Sequence, residues 1–406
     1  MEKRECIAMV LANGGTAPDS STNCLAKPAM FYGGSHRIID FTLNNCSQSG
    51  IDVVGILPLG SSGGLGSYIG SGRAWNASGG SGGVFMLPSE KNEEDYRNAA
   101  DAVYRNIDFI EEFSPEYVCI LSGDHIYKMD YAKMLDVHKK NSSDATIAAA
   151  PVFFSGDRRR EIIDVDEKGR ILDFEERPPK AGSDLASMGI YIFNWDVLRK
   201  YLIAGGKRGE SPQDFGKDIV PAMLCAREKL YAYRFEGYWR DVGTVESLWE
   251  SNMDLLRDPP KFTLEEEGKE VFTSFCSQLS YFTEETGTID RSILSGLHVI
   301  LGRVERSVLS DSVVVEEGAE VVDSVLMPNV YVGKNAKIRK AIVGPNVKIM
   351  NDVEIGTENG IADFVSDRLC ANGVSLIAPG TYIAEKIKLQ KNSYIENSVF
   401  AGEFDS

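Results

Sequence analysis

Long apolar runs are missing from this 406-residue sequence. No stretch approaches the roughly 18 consecutive apolar residues of a membrane-spanning helix, and no apolar signal region precedes the first strand-like segment. The seven cysteines are scattered, odd in number and never paired as CxxC. This spacing argues against zinc sites and disulfides and indicates free thiols in a reducing compartment. We therefore expect a cytoplasmic protein with no membrane partner.

Positive charge is also scarce. The chain has 43 Lys and Arg residues against 60 Asp and Glu residues, a formal net charge of -17. Nucleic acids and anionic bilayers would repel so acidic a protein, so we expect no nucleic-acid partner. Small phosphorylated ligands are not excluded. Salt screens the repulsion from distant acidic groups, so a local cluster of cations can still bind a phosphate.

The first 258 residues alternate strand-like and helix-like segments. Short apolar runs occupy 6–12, 51–59, 117–123 and 144–154, and helical patterns occupy 97–113 and 129–141. Strand–helix–strand repetition predicts an α/β, Rossmann-like domain with its sheet between layers of helices. Ligands of such folds bind beyond the carboxyl ends of the strands.

A different period follows residue 288. Aliphatic residues recur every six positions, and equivalent members of successive trios are 17 residues apart. This hexapeptide repeat predicts a left-handed parallel β-helix. We therefore divide the chain into an α/β domain (1–258), a linker (259–288) and a β-helix domain (289–406). The aliphatic positions are Leu309, Val315, Val321, Leu326, Val332, Ile338, Val343, Ile349 and Ile355.

Two glycine-rich segments follow strands of the first domain. Gly14 and Gly15 end the first apolar run, yet no Arg or Lys occurs between Gly15 and Lys27. The segment 59–83 is rich in Gly and Ser. That composition is typical of a flexible surface loop, or alternatively of a mobile lid over a pocket.

Two aspartates could hold a magnesium ion. Asp124 follows a buried strand in "SGDHIYKMDY", and Asp241 follows an aromatic-rich strand in "GYWRDVGTVESLW". Paired carboxylates bind Mg2+ against a phosphate. Either aspartate taken alone could instead cap a helix or close a turn.

A third group of polar residues lies in 172–194. Glu175, Glu176 and Arg177 end one strand-like run, and Ser187 and Gly189 open the next. Carboxylates and a hydroxyl suit the hydroxyl groups of a sugar, and the planar Arg suits a phosphate. The alternative is a solvated charged turn.

Together, several strings resemble the bacterial ADP-glucose pyrophosphorylase (glucose-1-phosphate adenylyltransferase) family over essentially the whole chain. They include "AKPAM", "RIIDFTLNNCSQSGID", "YIGSGRAW", "SGDHIYKMDY", "FEERP" and "GYWRDVGTVESLW". The resemblance implies condensation of ATP and glucose 1-phosphate to ADP-glucose and pyrophosphate, the committed step of bacterial glycogen synthesis. It also implies a nucleotidyltransferase-like (GT-A-like) fold for residues 1–258 and in-line attack of the sugar phosphate oxygen on the α-phosphorus of ATP.

The resemblance assigns roles to individual residues. It implies Mg2+ held by Asp124 and Asp241, and Lys27 on the nucleotide phosphates. It implies a nucleotide site that also includes Gly14, Gly15 and Gly123. The glucose 1-phosphate pocket would contain Tyr96, Glu161, Glu176, Arg177, Ser187 and Gly189.

The chain differs from the family at positions where the family's residues contact phosphate groups. The family's nucleotide loop reads about G-G-x-G-x-R-L, whereas here residues 13–19 read N-G-G-T-A-P-D. Losing that Arg and gaining Asp19 should each cost on the order of a few kcal/mol of triphosphate binding. Asn98 replaces a family glycine before a helix, Glu161 replaces another in the sugar-phosphate pocket, and Arg177 replaces a lysine.

These losses predict a catalytically weakened, regulatory-type subunit that works with an active homologue in a hetero-oligomer. An active enzyme, with cations supplied by Arg73 or Arg105, remains the alternative. Asn98 also leaves open a pyrophosphorylase for another sugar or nucleotide. The family forms tetramers, here either homo- or hetero-oligomeric, and responds to allosteric metabolites. The weak candidates for the effector site are Arg4, Arg37 and Arg339.

Overall fold

A computed structural model describes the fold of most of the chain. The described residues are 4–13, 26–60, 64–72, 75, 82–88, 95–151, 161–176, 184–206, 214–265, 271–273, 279–283, 286–362, 364, 366 and 369–400. No helix within these ranges is both long enough and apolar enough to cross a bilayer. The five cysteines in these ranges carry free thiols.

Short strands and helices alternate up to residue 255. The strands are β1 (Cys6–Asn13), β2 (Phe31–Tyr32), β3 (His36–Arg37), β4 (Val53–Leu59), β5 (Gly83–Met86), β6 (Tyr117–Ser122), β7 (His125–Tyr127), β8 (Ala145–Pro151), β9 (Glu161–Val165), β10 (Ile171–Glu176), β11 (Leu185–Asn194), β12 (Leu230–Arg234) and β13 (Trp239–Asp241). The helices are α1 (Ile38–Gln48), α2 (Leu65–Ile69), α3 (Ala99–Arg105), α4 (Ile107–Glu112), α5 (Tyr131–Lys140), α6 (Trp195–Gly206), α7 (Val220–Cys225) and α8 (Val245–Leu255).

A nine-stranded sheet forms the centre of the first unit. Its main path runs β10-β9-β11-β6-β1-β4-β5, and β8 pairs with β11 and β12. Strands β6, β1, β4 and β5 are parallel, as the alternating pattern predicts. The sheet as a whole is mixed, because β11 runs antiparallel to β6 and β8.

Both faces of this sheet are buried. In β1, Ala8 and Val10 pack into one hydrophobic cluster, whereas Ile7 and Met9 pack into another. A strand covered on both sides needs apolar residues at successive positions. This explains the uninterrupted apolar runs and confirms the predicted α/β sandwich.

The expected helix over 97–113 is two helices. α3 ends at Arg105 and α4 begins at Ile107, with Asn106 between them. Within the Gly/Ser-rich segment 59–83, residues 65–69 form α2. The hydroxyl of Tyr68 in α2 donates to both carboxylate oxygens of the fully buried Asp40, at 2.6 and 2.8 Å. The described part of this segment is therefore anchored to α1.

In the part of the remaining chain that the structure describes, eighteen short strands form three six-stranded parallel sheets. They are β14 (Ser280–Thr283), β15 (Thr288–Asp290), β16 (Ile293–Leu294), β17 (Leu297–Ile300), β18 (Arg303–Glu305), β19 (Val308–Leu309), β20 (Val313–Val315), β21 (Glu320–Val322), β22 (Val325–Leu326), β23 (Tyr331–Val332), β24 (Lys337–Arg339), β25 (Ala341–Val343), β26 (Lys348–Ile349), β27 (Glu354–Thr357), β28 (Ser375–Ile377), β29 (Tyr382–Ile383), β30 (Lys388–Gln390) and β31 (Tyr394–Ile395).

The strand register matches the hexapeptide period. Val315 lies beside Val332, and Val332 beside Ile349, so each coil takes 17 residues. All nine aliphatic positions of the repeat are at most 1% exposed, which confirms the predicted β-helix. One step is longer: Val343 lies beside Ile377, which is 34 residues later, so the sequence contains 17 more residues at this point than one coil requires.

The division into units differs from the expected boundaries. The first unit contains Met1–Gly15, Ala26–Ala29 and Ile38–Asp241, and the second contains Thr16–Leu25, Met30–Arg37 and Val242–Ser406. α8 belongs to the second unit because the indole nitrogen of Trp249 donates to the Asp323 carbonyl at 2.7 Å. The β-helix strands begin at Ser280, inside the segment 259–288 that the sequence suggests as a linker.

Candidate active site

The carboxyl ends of β1 and β6 lie side by side in the first unit. Gly123 follows β6, and its N–H donates to the Leu11 carbonyl at 3.0 Å. A Cβ atom at Gly123 would lie only 3.2 Å from Val10 Cγ1 and 3.3 Å from the Leu11 oxygen. A glycine here therefore lets the start of the 123–124 turn approach β1 closely. Gly14 and Gly15 lie outside the described residues.

Lys27 is carried by a short 3₁₀ helix (Lys27–Ala29). Ala26 and Ala29 are buried in the same cluster as Ala12 at the end of β1, which fixes this turn beside that strand end. The Lys27 side chain is half-exposed and forms no ion pair within the described ranges. This geometry is compatible with the predicted contact between Lys27 and the nucleotide phosphates, which stays a prediction.

Asp124 and Asp241 come together through the pairing of β7 with β13. The two strands are antiparallel, and Asp241 lies directly opposite His125, the neighbour of Asp124. Opposed Cα atoms lie about 4.5–5.5 Å apart and successive ones 3.8 Å apart, so the two aspartate Cα atoms lie within about 9 Å. The backbones of two aspartates 117 positions apart in sequence thus lie near each other.

Neither aspartate caps a helix. The residue after Asp124 begins a strand, and the N-cap of α5 is Asp130, whose side chain accepts from Ala132 N. The N-cap of α8 is Thr244, which forms a capping box with Ser247. These two N-caps use other side chains than Asp124 and Asp241, and the alternative that either aspartate closes a turn stays a prediction.

The surroundings of the aspartate pair are aromatic and tightly packed. His125 lies edge-on to Trp239, with ring centroids 5.7 Å apart, and both residues are almost fully buried. Gly189 approaches from β11, where a Cβ atom would lie 4.0 Å from His125 Cε1. Asp124 retains some exposure, at 9%. The packing holds the backbone while leaving this carboxylate within reach of a ligand.

This donor set suits magnesium. Mg2+ is usually held by one or two carboxylates, with phosphate oxygens and water completing its shell. Within the described ranges, no group of three or more His, Cys, Asp or Glu side chains could hold a metal by itself. A donor set of two aspartates, without the Cys and His ligands typical of zinc sites, fits Mg2+ better than zinc.

The predicted sugar-phosphate residues line up across three strands. Glu176 of β10 lies directly opposite Glu161 of β9. The β9–β11 pairing sets Ile162 opposite Ala186, and this antiparallel register brings Ser187 opposite Glu161. Three residues from separate parts of the sequence therefore share one row of the sheet. Arg177 lies outside the described residues.

A bulge in β11 separates Ser187 from the strand's second half. The register with β8 shifts between Ser187 and Tyr191, and Gly189 has a positive φ of 66°. Side chains other than glycine rarely adopt this conformation. The buried Ser187 Oγ accepts a hydrogen bond from Gly189 N at 3.2 Å, so the serine also stabilises the bulge.

Glu161 faces a turn that is not among the predicted site residues. A Cβ atom at Gly216 would lie 3.0 Å from Glu161 Oε1. Gly216 is in a short π-helix (Phe215–Ile219) whose N-cap, Asp214, accepts from the N–H groups of Gly216 and Lys217. The string "DFGKD" contains the signal for this turn, since an Asp two residues before a Gly is typical of such caps.

Tyr96 and Asn98 have structural roles. The Tyr96 hydroxyl donates to the Leu87 carbonyl at 2.8 Å and accepts from Asn106 Nδ2 at 2.9 Å. Asn98 caps α3 by accepting from Asp101 N at 3.0 Å, with an extended backbone that any residue can adopt. A role for the buried Tyr96 in the sugar pocket stays a prediction. Helix capping explains the asparagine at position 98 without requiring that the protein bind a different nucleotide.

The other candidate cations are already engaged. Arg105 binds the nearly buried Asp101 at 3.1 Å, and its guanidinium lies 5.7 Å from the centre of the Tyr96 ring. Arg73 lies outside the described residues. Of the weak candidates for an effector site, Arg4 pairs with Asp52 at 3.0 Å, Arg339 pairs with Glu320 at 3.5 Å, and Arg37 lies over the Phe31 ring.

Comparison with known proteins matches both halves of the chain. The family model "Nucleotidyl transferase" matches residues 8–258, and "GlmU-like, C-terminal hexapeptide" matches residues 278–377. The glucose-1-phosphate adenylyltransferase of Acetivibrio thermocellus is 42% identical over 410 residues, covering 100% of this chain and 96% of the relative. That of Bacillus cereus is 46% identical over 327 residues, covering 80% of this chain and 87% of the relative.

An α/β sheet with paired carboxylates at its strand ends, joined to a hexapeptide β-helix, defines the class of nucleotidyl transferases with a solenoid domain. Within this class, the chain belongs to the glucose-1-phosphate adenylyltransferase, or ADP-glucose pyrophosphorylase, family.

Proposed function

We propose that this chain is a catalytically weakened, regulatory-type subunit of ADP-glucose pyrophosphorylase that works with an active homologue in a hetero-oligomer. The reaction of the assembly would be ATP and glucose 1-phosphate to ADP-glucose and pyrophosphate. The relatives' names support this reaction for the family. The weakened role rests on the residues that differ in this chain.

One observation carries the proposal: the sequence segment after β1 has no positively charged residue before Lys27. Between Asn13 and Lys27 the sequence contains no Arg or Lys, and it contains Asp19. A triphosphate carries several negative charges, and reactions of this type depend on neutralising them and aligning the groups. Replacing a cation by an anion at this position lowers the affinity for the substrate and for the transition state together.

The chain retains several of the residues that the family uses to bind metal, nucleotide and sugar. Asp124 and Asp241 would hold Mg2+, which neutralises phosphate charge when bound. Lys27 would contact the nucleotide phosphates. The row of Glu161, Glu176 and Ser187 would receive the sugar, with two acidic residues in directly opposed positions. An added carboxylate at Glu161, beside a sugar phosphate, repels the phosphate and lowers affinity further.

The competing function is an active glucose-1-phosphate adenylyltransferase that recruits a cation from elsewhere. Arg105 is poorly suited to this task because leaving its site would abandon Asp101, whose side chain is only 4% exposed. Breaking that pair would leave an almost buried carboxylate without its cation. This contact favours the weakened subunit.

Pyrophosphate release distinguishes the two functions. The purified chain would be incubated with ATP, glucose 1-phosphate and Mg2+, alone and with an active homologue. The proposal predicts negligible release alone and altered kinetics or effector response of the homologue in the mixture. Robust turnover by the isolated chain would overturn the regulatory role. A preference for other nucleotides or sugar phosphates in the same assay would indicate a different pyrophosphorylase.

Restoring the turn tests its cause. Residues 13–19 would be replaced by the family pattern G-G-x-G-x-R-L, with and without Glu161→Gly. The proposal predicts partial recovery of turnover with the new loop and further recovery with both changes. Recovery with Glu161→Gly alone would instead identify the sugar-phosphate side as the main defect.

A further inference from the structure

Helix α1 contains an unusual run of buried polar residues. Asp40, Thr42, Asn44 and Asn45 are all at most 5% exposed. Polar side chains are buried at this level when hydrogen bonds satisfy them. Their partners therefore show what this helix holds in place.

Two of these residues bind the segment that contains Asp124. Thr42 Oγ1 donates to the Ser122 carbonyl at 2.8 Å. Asn45 Nδ2 donates to the Tyr127 carbonyl at 3.3 Å, and Asn45 Oδ1 accepts from Met129 N at 3.1 Å. α1 thus fixes the backbone on both sides of Asp124.

The side chain of Ser122 then contacts Asp124 directly. Ser122 Oγ donates a hydrogen bond to Asp124 Oδ1. His125 Nε2 lies 3.6 Å from the same oxygen. Within the described ranges, Asp124 Oδ2 has no hydrogen-bond or ion-pair partner. One carboxylate oxygen is therefore held by the protein, and the second remains available.

We propose that Ser122 is a positioning residue for the divalent-cation site, and that Thr42 fixes Ser122 through its carbonyl. This inference rests on the proposed role of Asp124 and Asp241 as magnesium ligands. The hydroxyl holds Oδ1 and fixes the rotation of the carboxylate. Oδ2 then remains available as a single-oxygen ligand.

The physical reason is preorganisation of a metal ligand. Partners that hydrogen-bond a ligating side chain fix its orientation, and their removal costs about 10–100-fold in metal affinity. Without the hydroxyl, the carboxylate rotates freely and part of the binding free energy is used to order it. Thr42 acts one step further away, so its loss should have a smaller effect.

Binding of Mn2+ provides a test that does not depend on turnover. The electron paramagnetic resonance signal of free Mn2+ would be followed as the full chain is added, with and without ADP-glucose. The variants are Ser122→Ala, Ser122→Thr and Thr42→Val. The control is Ser143→Ala, which removes a serine hydroxyl that is buried and has no hydrogen-bond partner within the described ranges, whereas Ser122 is partly exposed. Thermal unfolding of each variant checks the fold.

We expect the Mn2+ dissociation constant to rise about 10-fold or more in Ser122→Ala, less in Thr42→Val, and not at all in Ser143→Ala. Ser122→Thr keeps the hydroxyl and should bind within a few-fold of the unmodified chain. Equal Mn2+ affinity in Ser122→Ala and the unmodified chain overturns the role of Ser122 alone. Absence of Mn2+ binding by the unmodified chain, with and without ADP-glucose, overturns the metal site itself as well.

Discussion

Asp241 lies directly opposite His125 in the antiparallel pair of β7 and β13. This pairing sets the end of β13 beside the turn that follows β6, so that the backbones of Asp124 and Asp241 lie near each other. The relationship depends on backbone pairing rather than on a local motif. Each aspartate can therefore be replaced separately to measure its own contribution to metal binding.

Replacing Asp241 by Asn should weaken metal binding while preserving the fold. The change removes one negative charge but keeps the size of the side chain, and two carboxylates are the expected protein ligands of Mg2+. We expect the stabilisation of the chain by Mg2+ and ADP-glucose, measured as a thermal shift, to disappear. Asp136→Asn, on the exposed face of α5, is the control and should leave the shift intact. An unchanged shift in Asp241→Asn would remove Asp241 from the site.

Replacing Tyr68 by Phe should destabilise the first unit. The variant removes the hydroxyl that donates to both oxygens of the fully buried Asp40. Loss of a hydrogen bond to a buried charged group costs about 1–3 kcal/mol. Urea denaturation would measure the loss, with Tyr201→Phe as a control whose hydroxyl binds Glu228 in a more exposed setting. Similar stability of the two variants would show that α2 is not anchored through Asp40.

The stacked aliphatic residues inside the β-helix, here called the aliphatic column, predict that truncating one of them lowers stability strongly. Ile338 is fully buried and lies between Val321 and Ile355 in the stacked strands. Ile338→Ala should cost about 2–5 kcal/mol through lost burial and the cavity that it leaves. Lys348→Ala, on the exposed face of β26, should change stability by less than about 0.5 kcal/mol. Calorimetry of the full chain would compare them, and equal melting temperatures would contradict the column.

Burial of His138 predicts a loss of stability in acid. Its ring hydrogen-bonds Thr146 Oγ1 at 2.8 Å and Asn194 Oδ1 at 3.2 Å, and burial lowers the pKa of the imidazole below its usual 6.5. The unfolded chain then takes up a proton near pH 6.5 that the folded chain refuses until lower pH. Stability from this group is complete above pH 6.5 and falls as the pH decreases below it.

His138→Gln should reduce that pH dependence. The remaining dependence includes His298, whose pKa is also lowered by burial in the β-helix. Denaturation midpoints at neutral and mildly acidic pH would be compared between the variant and the unmodified chain. An identical pH dependence in both proteins would show that His138 does not contribute.

Local periodicity in the sequence predicted much of the fold. The apolar runs at 6–12 and 117–123 became β1 and β6, because strands buried on both faces require continuous apolar residues. The 17-residue coil followed from the six-residue period, because stacked coils must repeat the same inward positions. Both features are encoded over short distances.

Long-range pairing was not predictable in the same way. The row of Glu176, Glu161 and Ser187 depends on the register of three strands, which no local pattern specifies. The bulge at Gly189 arises where β11 changes its pairing with β8. The assignment of α8 to the β-helix unit depends on its contact with Asp323, 74 residues away.

ATP binding most directly tests whether the missing positive charge in the segment after β1 weakens the nucleotide site. Isothermal titration calorimetry with Mg2+ would compare the isolated chain with a variant whose residues 13–19 carry the arginine-bearing family pattern. We predict that the unmodified chain binds ATP at least about 100-fold more weakly, as expected for a loss of a few kcal/mol. Tight, magnesium-dependent ATP binding by the unmodified chain would contradict this account and the regulatory role derived from it.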